Sequence, residues 1–120
     1  TAACDTRFTL AMPGSYFCTF AGSIGSIFHC DCNYIPGILK LGEMYDVAGL
    51  IAPRPFYAIN GMQDPIFPID ETRRAYAYLR SIYKEAGAEE HCRLYEGDGG
   101  HRFYKEGAWP FVREHFSDSL

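Results

Sequence analysis

The chain has 120 residues, with 11 Lys+Arg against 15 Asp+Glu for a formal net charge of −4, and it is 48% hydrophobic and 16% aromatic. That balance excludes a disordered polyelectrolyte or a low-complexity linker, and it leaves no basic surplus to neutralise the phosphates of a nucleic acid. No apolar run approaches the roughly 18–20 residues needed to cross a bilayer, so no membrane partner is expected. Length alone predicts one domain.

The sequence opens at Thr1 rather than Met, and Ala2-Ala3-Cys4-Asp5 reads as the tail of a helix. The expectation is a piece of a longer protein. Residues 8–20 are apolar and aromatic, broken by Pro13-Gly14, and a strand is predicted near 16–20. Residues 22–37 are rich in Gly, Ser, Cys and Asn and predict a long irregular loop, a kind of segment that tends to be functional. A short helix is predicted over 46–52, capped by Asp46 and stopped by Pro53. The apolar run 55–60, ending at Gly61, predicts a buried strand. Turn chemistry follows in Gly61-Met62-Gln63-Asp64-Pro65. The clearest helix spans 70–86, with Asp70 as its cap and Gly87 beyond its end. Ala75, Leu79, Ile82 and Ala86 share one face, flanked by Tyr76 and Tyr83. A short strand over 92–96 leads through Gly97-Asp98-Gly99-Gly100 to His101. Trp109, Val112 and Phe116 then mark a last amphipathic helix with Pro110 in its first turn.

Strands alternating with helices predict an α/β fold, about three parallel strands joined by right-handed crossovers and flanked by helices. Three strands with open edges make a poor independent domain. This again points to one portion of a larger sheet. The five cysteines, Cys4, Cys18, Cys30, Cys32 and Cys92, are odd in number and match no disulfide scaffold. Free and mostly buried thiols, in a reducing compartment, are expected.

In open parallel sheets ligands bind at the carboxyl ends of the strands. Asp64 follows the second predicted strand and His101 the third. A carboxylate on one imidazole nitrogen fixes the tautomer and frees the other nitrogen to act as a general base. Asp98 is too near His101 in sequence to come from another strand, and Asp70 is better used as a cap. Asp64 and His101 are therefore the candidate acid and base.

Ala52-Pro53-Arg54-Pro55, Gly61-Met62-Gln63-Asp64-Pro65-Ile66-Phe67-Pro68 and Gly99-Gly100-His101-Arg102-Phe103 resemble the C-terminal part of an α/β-hydrolase. The resemblance is to bacterial acetyl-xylan-esterase-like and dienelactone-hydrolase-like esterases. The segment from Ala2 to Phe8 is similar to the helix end and D-x-R run downstream of that family's nucleophile. The resemblance implies that residues 1–120 are the C-terminal half of a single α/β-hydrolase domain. It implies Asp64 as triad acid and His101 as triad base in hydrolysis of a carboxylic, acetyl ester. It implies no cofactor, and a small ester or acetylated sugar as substrate.

The family's nucleophile stands in G-x-S-x-G on a strand-to-helix turn. The nearest run here is Ala21-Gly22-Ser23-Ile24-Gly25, but the polar stretch after it is too short for the helix that such a turn requires. Ser23 is the weak candidate, and the nucleophile is expected upstream of Thr1. His29, Cys30, Asp31 and Cys32 are all possible zinc ligands, which Cys92 or His91 could complete. One such run supplies three ligands where a structural site needs four, so no metal is expected. Arg54, between two prolines, reads as a solvated surface arginine or as one half of a structural ion pair. Two alternatives stand beside the hydrolase reading. One is a non-catalytic association module, and the other is a small metal-binding protein built on His29, Cys30 and Cys32. Self-association, or pairing with the missing N-terminal segment, is expected in either hydrolase or association module.

Overall fold

A computed structural model describes residues 1–116. Five regular elements follow one another: α1 (Met44–Gly49), β1 (Phe56–Gly61), α2 (Ile69–Glu85), β2 (Cys92–Gly97) and α3 (Lys105–Phe116). β1 and β2 pair in parallel, with Phe56 opposite Cys92 and Gly61 opposite Gly97, so the two strands start and stop together. α2 makes the crossover between them.

The third strand lies elsewhere than expected. Residues 16–20 form bends and turns. The segment that pairs with the free edge of β1 is 11–14, through parallel bridges Ala11 to Phe56 and Gly14 to Ile59. Ala11 N–H donates to the Pro55 carbonyl, Tyr57 N–H to Ala11, Ile59 N–H to Pro13, and Ser15 N–H to Ile59. One rung is missing from this ladder. Residue 13 would donate to Tyr57, and proline has no N–H. The pairing is real but interrupted, which is why Pro13-Gly14 reads as a break in the sequence.

Side chains alternate across β1 and build a core on each face of the sheet. Phe56 and Ala58 join Phe17, Met44, Ala48, Ala75, Leu79 and Tyr83 beneath α1 and α2. Tyr57 and Ile59 join Tyr104, Ala108 and Phe111 beneath α3. All six residues of β1 are buried, as befits a strand covered on both faces.

The helix starts differ from the sequence reading in informative ways. Glu43, not Asp46, caps α1. The Glu43 carboxylate accepts from Met44 N–H and from Phe20 N–H, while Asp46 accepts from Glu43 N–H, so Asp46 is the reciprocal half of a capping box. α2 starts at Ile69 after Pro68, without a side-chain cap, and Asp70 lies in its first turn against Arg73. Gly87 has φ 69°, the left-handed stop expected of it. α3 starts at Lys105 and buries Gly107, Ala108 and Phe111, whereas Trp109 is exposed and Pro110 lies inside the helix.

Arg54 is not free, and among the described residues it forms no ion pair. Its guanidinium donates to the backbone carbonyls of Ala2, Asp5 and Phe8 and fastens the N-terminal segment beside the entrance to β1. Cys18 and Cys92 are buried, but Cys4, Cys30 and Cys32 are exposed, so the thiols are not mostly buried. Among the described residues no helix is long and apolar enough to cross a membrane.

Candidate active site

The shared register of β1 and β2 delivers two loops to one end of the sheet. The loops are stitched together through the main chain: Met62 N–H donates to Gly97 (2.8 Å) and Gln63 N–H to Gly99 (2.9 Å). Gly61 makes this possible, because a Cβ there would strike the carbonyls of Gly99 and Gly100. A glycine is required for this close approach, whatever its dihedral freedom.

The loops bring Asp64 and His101 together. Asp64 Oδ2 lies 2.9 Å from His101 Nδ1. A carboxylate accepts only, so Nδ1 carries a proton, and in the neutral ring Nε2 is left with its lone pair. Asp64 Oδ1 accepts from Ile66 N–H (2.8 Å) and Phe67 N–H (3.1 Å). One oxygen thus anchors the carboxylate to its own loop and the other holds the imidazole. The Asp64 side chain is sealed from solvent, whereas that of His101 is 45% exposed. Among the described residues Nε2 has no hydrogen-bond partner. A buried acid behind an accessible imidazole can orient the ring and leave Nε2 to exchange a proton with a third group.

The histidine is also walled by aromatic rings. Phe67 lies nearly parallel to it, with centroids 5.8 Å apart, and packs in turn against Tyr16 and His29. Tyr16 Oη donates to Asn33 Oδ1, which ties the 22–37 loop to this wall. Phe67 stands three residues after Asp64. An aromatic residue next to the acid was the available signal for it, obscured because the residue reads equally well as core.

Of the remaining candidates, His29 joins the aromatic wall through Phe67, and none is hydrogen-bonded to Asp64 or His101 among the described residues. Ser23 is fully buried in a turn. Its Oγ donates to the Ile66 carbonyl (2.6 Å) and lies 3.2 Å from His29 Nε2. Among the described residues no strand runs directly into it and no helix starts directly after it. Cys30 and Cys32 are exposed. Cys92 and His91 sit where β2 begins, at the opposite end of the sheet. Among the described residues no three His, Cys, Asp or Glu side chains gather as a metal site. Burial pushes the Cys18 thiol up, and pushes the Cys92 thiol up to about 12, so neither is poised as a thiolate.

The whole architecture recurs in known structures. A carbohydrate esterase family 15 glucuronoyl esterase from Caldicellulosiruptor kristjansonii superposes on 99% of this chain with a TM-score of 0.77 at 15% identity. A methylesterase superposes on 96% of it with a TM-score of 0.66 at 21% identity. The fold is that of an α/β-hydrolase. In sequence, the Bacillus subtilis protein YtaP, named as a hydrolase, is 28% identical over 68 residues, or 57% of this chain. No family model matches. The chain spans 23% of the length of YtaP, 40% of the glucuronoyl esterase chain and 25% of the methylesterase chain, so it corresponds to a minor part of each of them.

Proposed function

We propose that this chain supplies the acid and the histidine of a serine hydrolase that cleaves carboxylic esters. The observation that carries this reading is the 2.9 Å contact between a sealed Asp64 and an accessible His101 at the matched ends of adjacent parallel strands. In this reading a serine on a nucleophile-bearing N-terminal portion, outside residues 1–120, gives its proton to His101 Nε2 as it attacks the ester carbonyl. The imidazolium is stabilised by Asp64. It then protonates the departing alcohol, and the acyl-enzyme is hydrolysed by a water activated in the same way. Ser23 is not that nucleophile, because its hydroxyl is committed to the Ile66 carbonyl and enclosed. The two solved neighbours are esterases by name, which favours an ester over other acyl substrates. A small acetyl ester or an acetylated sugar is the substrate class to try first.

The test uses the longest polypeptide that contains this chain, assayed on p-nitrophenyl acetate beside methyl esters. His101→Ala lowers kcat by at least about 10³-fold, and Asp64→Asn by about 10⁴-fold through loss of the productive tautomer, as in other triads. Residues 1–120 alone hydrolyse the acetyl ester no faster than their Ser23→Ala variant. Turnover by the 120-residue chain that disappears in Ser23→Ala would make Ser23 the nucleophile. Full activity in His101→Ala would end the triad reading.

A further inference from the structure

Ser15 plays no part in the acid–histidine contact, yet it is tied to the chain that follows His101. Its φ is 49°, the one positive value outside glycine among the described residues. Serine gains little there, and such a conformation persists when its surroundings over-determine it. The surroundings are on view. Ser15 is 5% exposed, its N–H donates to Ile59 at the edge of β1 (2.7 Å), and its Oγ donates to the carbonyl of Arg102 (2.8 Å), 87 residues away in sequence.

Arg102 follows His101 directly. The loop ahead of the histidine is already held, Gly99 by Gln63 N–H and Gly100 by Tyr104 Oη. On the far side Ser15 Oγ is, among the described residues, the donor to the Arg102 carbonyl. Beyond it the Phe103 ring covers Gly14, 3.0 Å from where a Cβ would stand. The two sides together bracket His101.

Resting on the acid–histidine reading above, we infer that Ser15 is a positioning residue: its hydroxyl, aimed by the left-handed backbone, clamps the Arg102 carbonyl and so fixes the His101 ring on Asp64. The 11–14 segment thereby contributes to a site that the acid and histidine loops do not complete alone. Misplacement of a reacting group by about 1 Å costs up to about 10²-fold in rate, so a loop held on one side only is a poor base.

Two variants separate the hydroxyl from the backbone. Ser15→Ala removes the hydroxyl and keeps the strain; Ser15→Gly removes the hydroxyl and adopts φ 49° freely. The first readout is NMR of the 120-residue chain, following solvent exchange of the His101 Nδ1 proton, with Asp64→Ala, which leaves no side-chain partner at Nδ1, as the fully released control. Both variants are expected to exchange about ten times faster than wild type. The second is turnover by the longest polypeptide containing the chain, where kcat falls about 10- to 100-fold in both variants with KM within about twofold. Wild-type exchange in both variants overturns the inference. Faster exchange in Ser15→Ala alone also overturns it, since backbone strain and not the hydroxyl would then be at work. Faster exchange in both variants, alongside a His101→Ala protein that keeps full turnover, upholds the clamp and removes the triad reading instead.

Discussion

Asp64 divides its two oxygens between its own loop and His101, and that division depends on a neighbour with no side chain. Gly61 lets the histidine loop cross the end of β1. Gly61→Ala is expected to force the Gly99 and Gly100 carbonyls away and to lower stability by about 1–3 kcal/mol, the usual cost of overpacking. A urea titration measures this as a lower midpoint at unchanged slope. The cysteines give a second residue-level expectation. Cys4, Cys30 and Cys32 are exposed while Cys18 and Cys92 are buried with raised pKa values. At neutral pH a thiol reagent should therefore titrate three groups quickly and two on unfolding; a fourth fast thiol would show that the core opens. The meeting of Asp64 with His101 was legible in the sequence because each follows a strand-ending glycine and carries titratable chemistry. Ser15 and Gly61 were not. Their roles are set by carbonyls brought to them from the histidine loop, and nothing local in the sequence marks such a meeting.

Among the elements, β1, α2 and β2 were legible because a buried apolar run, a helical stripe and a left-handed glycine all agree with the final fold. The third strand was misplaced because Pro13 and Gly14 argue locally against pairing, while the sheet needs only their carbonyl and bridge. The end of α2 nearest the site is tied to β2 by Arg73, whose guanidinium donates to both oxygens of Glu96 at 2.8 and 2.6 Å. Those hydrogen bonds hold the Glu96 carboxyl below the usual carboxylate range. A depressed folded-state pKa contributes stability above the unfolded-state pKa, near 4.3, and that contribution is lost as pH falls through the folded-state value. Wild type should therefore exceed Glu96→Gln in stability by a constant margin at neutral pH, with the margin closing below about pH 4. Paired denaturation curves across this range check it. A margin that grows on acidification would refute it. The margin is small and shrinks in salt, because both side chains meet water.

At the scale of the whole molecule, two full strands and one interrupted segment carry helices on both faces and leave a good deal uncovered. The amides and carbonyls of Met12 and Gly14 point away from β1 and find no backbone partner among the described residues. Phe28 is 88% and Leu41 87% exposed. Open edges and exposed apolar side chains both recruit further chain, so we expect the 120-residue chain to self-associate or to bind a separately supplied N-terminal portion. Light scattering over a range of concentrations, with a melt at each, measures this. A monomer whose melt does not depend on concentration would show that the chain suffices alone.

The stitching of the acid loop to the histidine loop has a consequence for how this sequence can change over time. Its bonds run from the amides of Met62 and Gln63 to the carbonyls of Gly97 and Gly99. Every amino acid but proline offers the same amide. Both side chains are exposed, so these two positions can drift through almost any replacement without loosening the frame. Gly61 cannot drift, because space forbids it, and Asp64 cannot, because its carboxylate is spoken for on both oxygens. Among descendants of this chain, the acid loop should keep its first and fourth letters while the two between them wander, and its shape should outlast most of its spelling.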